Sequence, residues 1–310
     1  MSSATDTEGR SRWSFHGIGT RWEVVTSEPL AQDVRDHVLE RVERFNAVWS
    51  RFRPDSVVAE IAAAENGGVF AFPAEAVTLF ELFDRLSAAT DGAVDPLVGR
   101  QLELLGYDSA YSLVPAPEDL RRQAVHQRPT WAADVVREGG TLVTRRPLVV
   151  DVGAAGKGLL VDLIAVLLEA TGAAEFVIDA SGDLRHRGAS AVRVGLEHPL
   201  DPRSVIGVVE LQNGSLCASA TNRRAWGDGL HHVLDARTGE PVKGVLATWA
   251  LAADAATADG LATALFSTDP RRLGQSFRFS HVRLFADGRA ERSARFPGEL
   301  FTRPAPPDSR

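Results

Sequence analysis

Apolar residues in the first third of the chain recur at intervals of three and four, which is the spacing of one helical face. This pattern predicts a helix from Gln32 to about Val48 and another from about Ala74 to Thr90. The inner face of the first would carry Val38, Leu39, Val42 and Phe45, and that of the second Val77, Phe80, Phe83 and Leu86. Asp55 and Ser56 predict an N-cap for a short intervening helix over Val57 to Ala64.

Short apolar runs of strand length dominate the second half. A hairpin around Gly17-Ile18-Gly19 is predicted from Trp13 to Thr26, and further helices from Gly156 to about Ala170 and after Asp254. The runs that predict strands are Trp131 to Val136, Thr141 to Thr144, Leu148 to Val152, Glu175 to Ile178, Val192 to Leu196, Val205 to Leu211, His231 to Leu234 and Leu246 to Ala252. Because helices come in an early block and strands in a later one, we predict an α+β fold rather than a strict βαβ series.

The chain shows no internal repeat and no composition shift that would mark a linker. Ser109 to Pro129 is rich in proline, arginine and glutamine, which indicates a surface excursion. We therefore predict one domain over residues 13–300, with loose tails at 1–12 and 301–310.

The charge and composition of the chain limit the kinds of molecule that it is expected to bind. A formal net charge of −7 argues against a nucleic-acid-binding protein, which needs a basic face to neutralise phosphates. The apolar run Leu159 to Leu168 is broken by Asp162 and is shorter than the roughly 18 residues of a membrane span. Met1 to Ser14 is polar and lacks the apolar core of a signal peptide, and Cys217, the only cysteine, allows no internal disulfide. The expectation is a cytoplasmic protein without a membrane partner.

A glycine-rich turn follows the apolar run that ends at Val150. The segment Asp151-Val-Gly-Ala-Ala-Gly-Lys157-Gly158 opens a helix, where free backbone N–H groups bind anions. A Walker A loop is excluded because Gly158 stands where Ser or Thr is required. A dinucleotide fingerprint fits poorly, because the acidic residue Asp179 comes later than the spacing of about 20 residues in that motif. A tight strand-to-helix turn without a ligand explains the same residues.

Two further segments carry candidate chemistry. Asp259 and Thr263 are four positions apart and share one helical face, and a carboxylate beside a hydroxyl suits a hard cation with oxygen ligands. Taken alone, these residues fit an alanine-rich buried helix better than a metal site. His231-His232 precedes a Thr-Gly turn, so His232 could serve as a general base or simply as a structural histidine. Zinc is poorly supported, since no Cys or further His lies at ligand spacing.

In order along the chain, these segments resemble the ApbE family of FAD:protein FMN transferases. The resemblance runs from Gly17 to about Thr268. Its most specific parts are Asp151 to Gly158, His232-Val-Leu-Asp-Ala-Arg-Thr-Gly239 and Thr257-Ala-Asp-Gly-Leu-Ala-Thr-Ala264. Supporting matches are Gly17 to Thr20, Ser50-Arg-Phe-Arg-Pro-Asp-Ser56, Gly92-Ala-Val-Asp-Pro96 and Ser181-Gly-Asp183.

The resemblance implies antiparallel sheets flanked by helices and a Mg²⁺-dependent reaction. Such enzymes cleave the FAD pyrophosphate, link FMN through a phosphoester to a Ser or Thr hydroxyl of a target flavoprotein, and release AMP. It also implies an acceptor motif of the form Ser/Thr-Gly-Ala-Ser/Thr.

The family's site residues carry over by position. Asp259, Thr263 and the carbonyl of Ala154 take the places of metal ligands, and His232 that of the base. The FAD-binding positions are occupied by Ile18, Phe52, Ala93, Val94, Asp95, Asp151, Lys157 and Leu234. Ala262 stands where some members have another acidic ligand, and Asn222-Arg223-Arg224 where many have a tyrosine.

Two other functions remain open from the sequence. The same site would serve an FAD pyrophosphatase with water as acceptor, and a non-catalytic flavin-binding or flavin-delivery protein would need only the binding residues. A nicotinamide dehydrogenase is disfavoured because the glycine-rich turn lies in the middle of the chain.

Overall fold

The computed structural model describes residues 9–301 of the 310-residue chain. Its helices are α1 Gln32–Trp49, α2 Val57–Ala63, α3 Ala76–Ala89, α4 Gly99–Leu104, α5 Glu118–His126, α6 Trp131–Asp134, α7 Gly156–Ala170, α8 Ala255–Ala264 and α9 Pro270–Leu273. Its strands are β1 Ser11–Gly17, β2 Thr20–Thr26, β3 Gly68–Ala71, β4 Val135–Glu138, β5 Thr141–Thr144, β6 Phe176–Asp179, β7 Asp183–Arg187, β8 Val192–His198, β9 Asp201–Leu211, β10 Gly214–Ala220, β11 Ala225–Trp226, β12 Leu230–His231, β13 Leu234–Asp235, β14 Glu240–Pro241, β15 Val245–Ala252, β16 Ser280–Phe285, β17 Ala290–Arg292 and β18 Gly298–Leu300.

An antiparallel sheet of eight strands forms the centre, in the order β1-β2-β6-β7-β10-β15-β16-β17. Successive residues of its strands point to opposite faces, so Val24 and Ile178 pack beneath the helices while Val25 and Val177 pack on the other side. The helical face is covered by α1, α3, α7 and α8, and the opposite face by the smaller sheet β18-β9-β8. The α+β prediction, with antiparallel sheets flanked by helices, is confirmed.

Most predicted helices are present within one or two residues of their expected ends. Ser56 caps α2 as expected, because its hydroxyl accepts a hydrogen bond from the amide of Ala59 at 3.2 Å. Leu39 is an exception to the predicted inner face of α1, since 42% of it is exposed. The excursion at Ser109 to Pro129 contains α5, which has no buried residue.

Three predicted strands are wrong in detail. Leu148 to Val152 forms no strand, and the amide of Asp151 instead donates to the carbonyl of Pro96 at 2.7 Å. Trp131 to Val136 begins as the helical turn α6, because Asp134 accepts a hydrogen bond from the amide of Thr130 at 2.8 Å. His231 to Leu234 is divided between β12 and β13, which pair with different strands and leave His232 between them.

The structure describes only a part of each predicted tail. Residues 1–8 and 302–310 of the predicted tails lie outside the described residues. Ser11 and Arg12 belong to β1 rather than to a tail, and the amide of Phe301 donates to the carbonyl of Ile206 at 2.8 Å. Over residues 9–301, no helix has both the length and the apolar character needed to cross a bilayer.

Candidate functional site

One cavity of about 890 Å³ opens between the helical layer and one end of the strands of the central sheet. It brings together side chains and backbone from segments separated by more than a hundred positions. All twelve site residues expected from the sequence line it, namely Ile18, Phe52, Ala93, Val94, Asp95, Asp151, Ala154, Lys157, His232, Leu234, Asp259 and Thr263.

Asp259 lies on α8 at the floor of this cavity and is 4% exposed. Its Oδ2 accepts a hydrogen bond from the backbone amide of Gly158 at 3.0 Å. Burial raises the Asp259 pKa well above its usual range, and the neighbouring charge of Asp183 raises it further. Two buried carboxylates beside each other favour either a shared proton or a cation.

Thr263 lies one turn after Asp259 on α8 and contacts Ala154 of the glycine-rich turn. The Thr263 hydroxyl donates to the carbonyl oxygen of Ala154 at 3.4 Å. Ala154, Asp259 and Thr263, the three metal ligands expected from the sequence, therefore line the same cavity. Within residues 9–301, no cluster of three or more His, Cys, Asp or Glu side chains is placed to hold a metal. An ion here would rely on one carboxylate, a hydroxyl, a carbonyl and water, a set that suits Mg²⁺.

Lys157 reaches across the first turn of α7 to β7. Its ammonium group is ion-paired with the fully buried Asp183 and donates to the carbonyl of Ala180 at 3.2 Å. Burial acts to lower the Lys157 pKa, but the charges of Asp183 and Asp259 outweigh it and the pKa is raised. Lys157 is therefore a fixed cation, and its side chain, 26% exposed, is available to a ligand phosphate.

Asp95 and Asp151 have different surroundings. Asp95 is buried and accepts hydrogen bonds from the amides of Leu97 at 2.9 Å and Trp131 at 3.0 Å, so its carboxylate holds the loop together. Asp151 accepts from Arg51 Nε at 2.6 Å and from the amide of Gly153 at 2.7 Å. Burial acts to raise the Asp151 pKa, but the charge and hydrogen bond of Arg51 leave it lowered.

His232 is partly buried between two short strands. Its Nδ1 lies 3.4 Å from the backbone carbonyl of Arg224. Since a carbonyl only accepts, this contact favours the tautomer with the proton on Nδ1 and leaves Nε2 as the basic atom. Burial, followed by the charge of Arg224, lowers the His232 pKa from 6.5 to about 4. The imidazole is therefore neutral at pH 7, as a proton acceptor must be.

Aromatic side chains form one wall of the cavity. The rings of Phe52 and Tyr111 stack with centroids 5.1 Å apart and planes 11° apart, and Tyr107 meets Phe52 edge-on. On the opposite rim, Ile18 sits at the tip of the β1–β2 hairpin with φ of 44°, and Gly19 has φ of 74°. A β-branched residue rarely adopts positive φ, so the turn holds Ile18 in a strained position facing the site.

Sequence reasoning assigned no role to several residues of the site. Arg51 and Asp183 fall inside motifs that supported the resemblance, so their spacing was a usable signal. Tyr111 lies in the region predicted to be a surface excursion, and Tyr107 lies just before it. Nothing in their spacing indicated a contact with Phe52.

Residues 18–281 match the model of the ApbE family.
The chain belongs to the ApbE family. The resemblance inferred from its motifs is thereby confirmed.

Relatives of this ApbE-family protein match most of its length, but the share of their own length that is matched differs. A Vibrio cholerae protein named FAD:protein FMN transferase is 30% identical over 255 residues, which are 78% of the present chain and 74% of that protein. A Rhodobacter capsulatus protein of the same name is 28% identical over 267 residues, 81% of this chain but 50% of the relative.

Solved structures show the same fold. The crystal structure of the ApbE protein from Thermotoga maritima superposes with a TM-score of 0.80 at 26% identity, covering 92% of this chain and 97% of the other. The flavin transferase ApbE from Vibrio cholerae superposes with a TM-score of 0.79 at 23% identity, covering 92% and 96%.

Proposed function

We propose that this protein transfers FMN from FAD to a Ser or Thr hydroxyl of a target flavoprotein and releases AMP. The observation that carries the proposal is the convergence of twelve motif residues on one cavity, with Gly158 bonded to Asp259 and Ala154 to Thr263. The names of the relatives from Vibrio cholerae and Rhodobacter capsulatus support the same activity.

The residues at the floor of the cavity suit Mg²⁺. Asp259, the Thr263 hydroxyl and the Ala154 carbonyl would hold it. Burial and the neighbouring charge of Asp183 both raise the Asp259 pKa, and a cation beside the two carboxylates would offset these effects. When bound, Mg²⁺ supplies positive charge that neutralises pyrophosphate oxygens. Lys157, fixed by Asp183, adds a second cation beside the phosphate chain.

The transfer itself is a displacement at phosphorus. The acceptor hydroxyl oxygen forms a bond to the FMN phosphorus, and the bond from that phosphorus to the bridging oxygen breaks, so AMP leaves with the bridging oxygen. His232 Nε2 takes the hydroxyl proton, and the Arg224 carbonyl keeps the opposite nitrogen protonated. Holding the reactants in line and neutralising charge supply most of the acceleration.

In this proposal the acceptor approaches from the rim that carries Arg223 and Arg224, next to Asn222. Asn222 is tied to the carbonyl of Pro199, and Arg223 pairs with Glu197 at 2.6 Å. These residues replace the tyrosine of many relatives, so they would adapt the rim to a particular acceptor. We propose that the acceptor is a cytoplasmic flavoprotein with a Ser/Thr-Gly-Ala-Ser/Thr motif. We also propose that residues 13–300 of the present chain form a single transferase domain.

The deciding experiment combines the protein with FAD, Mg²⁺ and a flavoprotein that bears the motif, followed by mass spectrometry of the acceptor and chromatography of the nucleotides. The proposal predicts an FMN adduct and an equal amount of AMP. Rapid formation of FMN and AMP without an acceptor would instead indicate a pyrophosphatase. Intact FAD after long incubation would indicate a flavin-binding or flavin-delivery protein.

A further inference from the structure

Arg51 is a buried cation at the cavity wall with unused hydrogen-bond donors. Its side chain is 4% exposed, and Nε donates to Asp151. Neither Nη1 nor Nη2 has a hydrogen-bond partner within the part of the chain that the structure describes. Buried guanidinium groups normally have their donors satisfied, because a buried donor without an acceptor destabilises the protein. Two donors of Arg51 are thus free for an acceptor that the protein itself does not provide.

Arg224 approaches the same tyrosine as Arg51. Its Nη1 donates to the Tyr107 hydroxyl at 2.6 Å, while Arg51 Cζ lies 5.1 Å from the centroid of the Tyr107 ring. Both arginines line the cavity, and Asp151 is the acidic partner of Arg51 there. Two guanidinium charges against one carboxylate leave this end of the cavity positive.

The opposite end of the cavity has an excess of negative charge. Asp183 and Asp259 place two carboxylates against the single ammonium of Lys157. A cation therefore fits at that end, and an anion fits at the arginine end without needing a metal.

We propose that Arg51 and Arg224 form a metal-independent subsite for the phosphate of a phosphate monoester that carries a planar ring. AMP and FMN, the two halves of FAD, both belong to this class, so the inference rests on the proposed function and adds residues to it. The guanidinium fork pairs with two phosphate oxygens at once, which an ammonium group cannot do.

The aromatic wall lies directly beside the buried donors of Arg51. Arg51 Cζ lies 4.2 Å from the centroid of Phe52, whose ring is stacked with Tyr111. Tyr111 is 54% exposed, with φ of 51°. In the subsite we propose, the ligand ring takes the place of Tyr111 against Phe52, beside the Arg51 guanidinium.

Calorimetric titration of the metal-free protein, kept in EDTA, with AMP, FMN and inorganic phosphate tests this subsite. The variants are Arg51→Lys, which keeps the charge but loses the fork, and Arg224→Gln, which removes the charge at an exposed position. Arg100→Gln is the matched control, because Arg100 is an exposed arginine paired with Glu103 away from the cavity. We expect each subsite variant to weaken binding at least tenfold, with the control unchanged.

The three ligands separate the possible sources of the phosphate. Weaker binding of AMP alone, or of FMN alone, would support the subsite and assign it to that half of FAD. An equal loss for all three would show that the arginines bind phosphate without regard to the ring, and would overturn the proposed preference for a ligand with a planar ring. Unchanged affinities in Arg224→Gln and in a folded Arg51→Lys, or no measurable binding to the metal-free wild-type protein, would overturn the proposal. Because no FMN transfer is measured, failure of the proposed function would leave this result intact.

Discussion

The backbone amide of Gly158 donates a hydrogen bond to the Asp259 carboxylate at 3.0 Å, which joins the first turn of α7 to α8. The helices approach so closely here that a Cβ atom on Gly158 would lie 2.2 Å from the carbonyl oxygen of Ala255. The glycine that excluded a Walker A loop in the sequence is therefore required by this contact. It places the acidic residue of α8 against the glycine-rich turn.

Gly158→Ala tests that packing. The added methyl group meets backbone atoms that have no room to move, so we expect a loss of about 1–3 kcal/mol in the free energy of unfolding. Guanidinium denaturation measures it, and Mg²⁺ titration should show weaker binding. Val166→Ala, on the exposed face of the same helix, should change stability by no more than about 0.5 kcal/mol. Equal stabilities of Gly158→Ala and wild type would refute the close contact.

Asp162 connects the same two helices through a different contact. Its carboxylate accepts hydrogen bonds from the amides of Ala255 and Ala256, each at 2.9 Å, at the start of α8. Asp162→Ala leaves both amides unpaired, and we expect it to lower the free energy of unfolding by about 1–3 kcal/mol. Asp162→Asn retains one acceptor oxygen and should lose less. A smaller loss for Ala than for Asn in urea denaturation would contradict this role.

The environment of His232 predicts an unusual pH dependence. Because its folded pKa is about 4, the ring stays neutral as the pH falls through 6.5. We expect the acidic limb of kcat/KM that His232 governs to lie near pH 4 in the free enzyme. His232→Gln should reduce FMN transfer roughly 100- to 10,000-fold.

His231→Gln is the comparison for that experiment. The His231 ring is buried and bonded through Nε2 to the Val242 carbonyl, so its loss should affect stability before chemistry. An acidic limb centred near pH 6.5, abolished in His232→Gln, would show that the ring is more solvated than the structure indicates.

Substitution of Phe52 tests whether the aromatic wall of the cavity binds FAD. Phe52→Ala removes the ring against which Tyr111 stacks, and we expect FAD to bind about tenfold more weakly, which is about 1.4 kcal/mol. Phe52→Tyr keeps the stacking surface and should bind FAD as well as wild type. Fluorescence titration of FAD quantifies both. Equal affinities for the Ala and Tyr variants would place the flavin and adenine rings elsewhere.

Helices and the composition of the site were accessible from the sequence because their signals are local. The 3.6-residue periodicity of α1 and α3 reports burial directly, and the motifs at Asp151 to Gly158 and Thr257 to Ala264 have fixed internal spacing. Strands were harder to predict. The β7 sequence Asp-Leu-Arg-His-Arg reads as polar, yet its charged side chains find partners across the fold, such as Lys157 for Asp183.

Contacts between distant segments could not be predicted from spacing. Arg51 pairs with Asp151 across a hundred positions, and Asp183 neighbours both Lys157 and Asp259 only because β7 runs beside α7 and α8. The split of His231 to Leu234 into two bridges likewise depends on the partners β11 and β14, which lie outside that run.

Asp259→Asn gives the most direct test of the central claim that one site holds the cation and cleaves FAD. The substitution keeps the shape of the side chain and removes its charge. In a reaction with FAD, Mg²⁺ and an acceptor flavoprotein, AMP and the FMN adduct are quantified together for variant and wild type. We predict that both products fall together by roughly 100-fold or more. Undiminished formation of AMP and adduct by the folded variant would contradict the account.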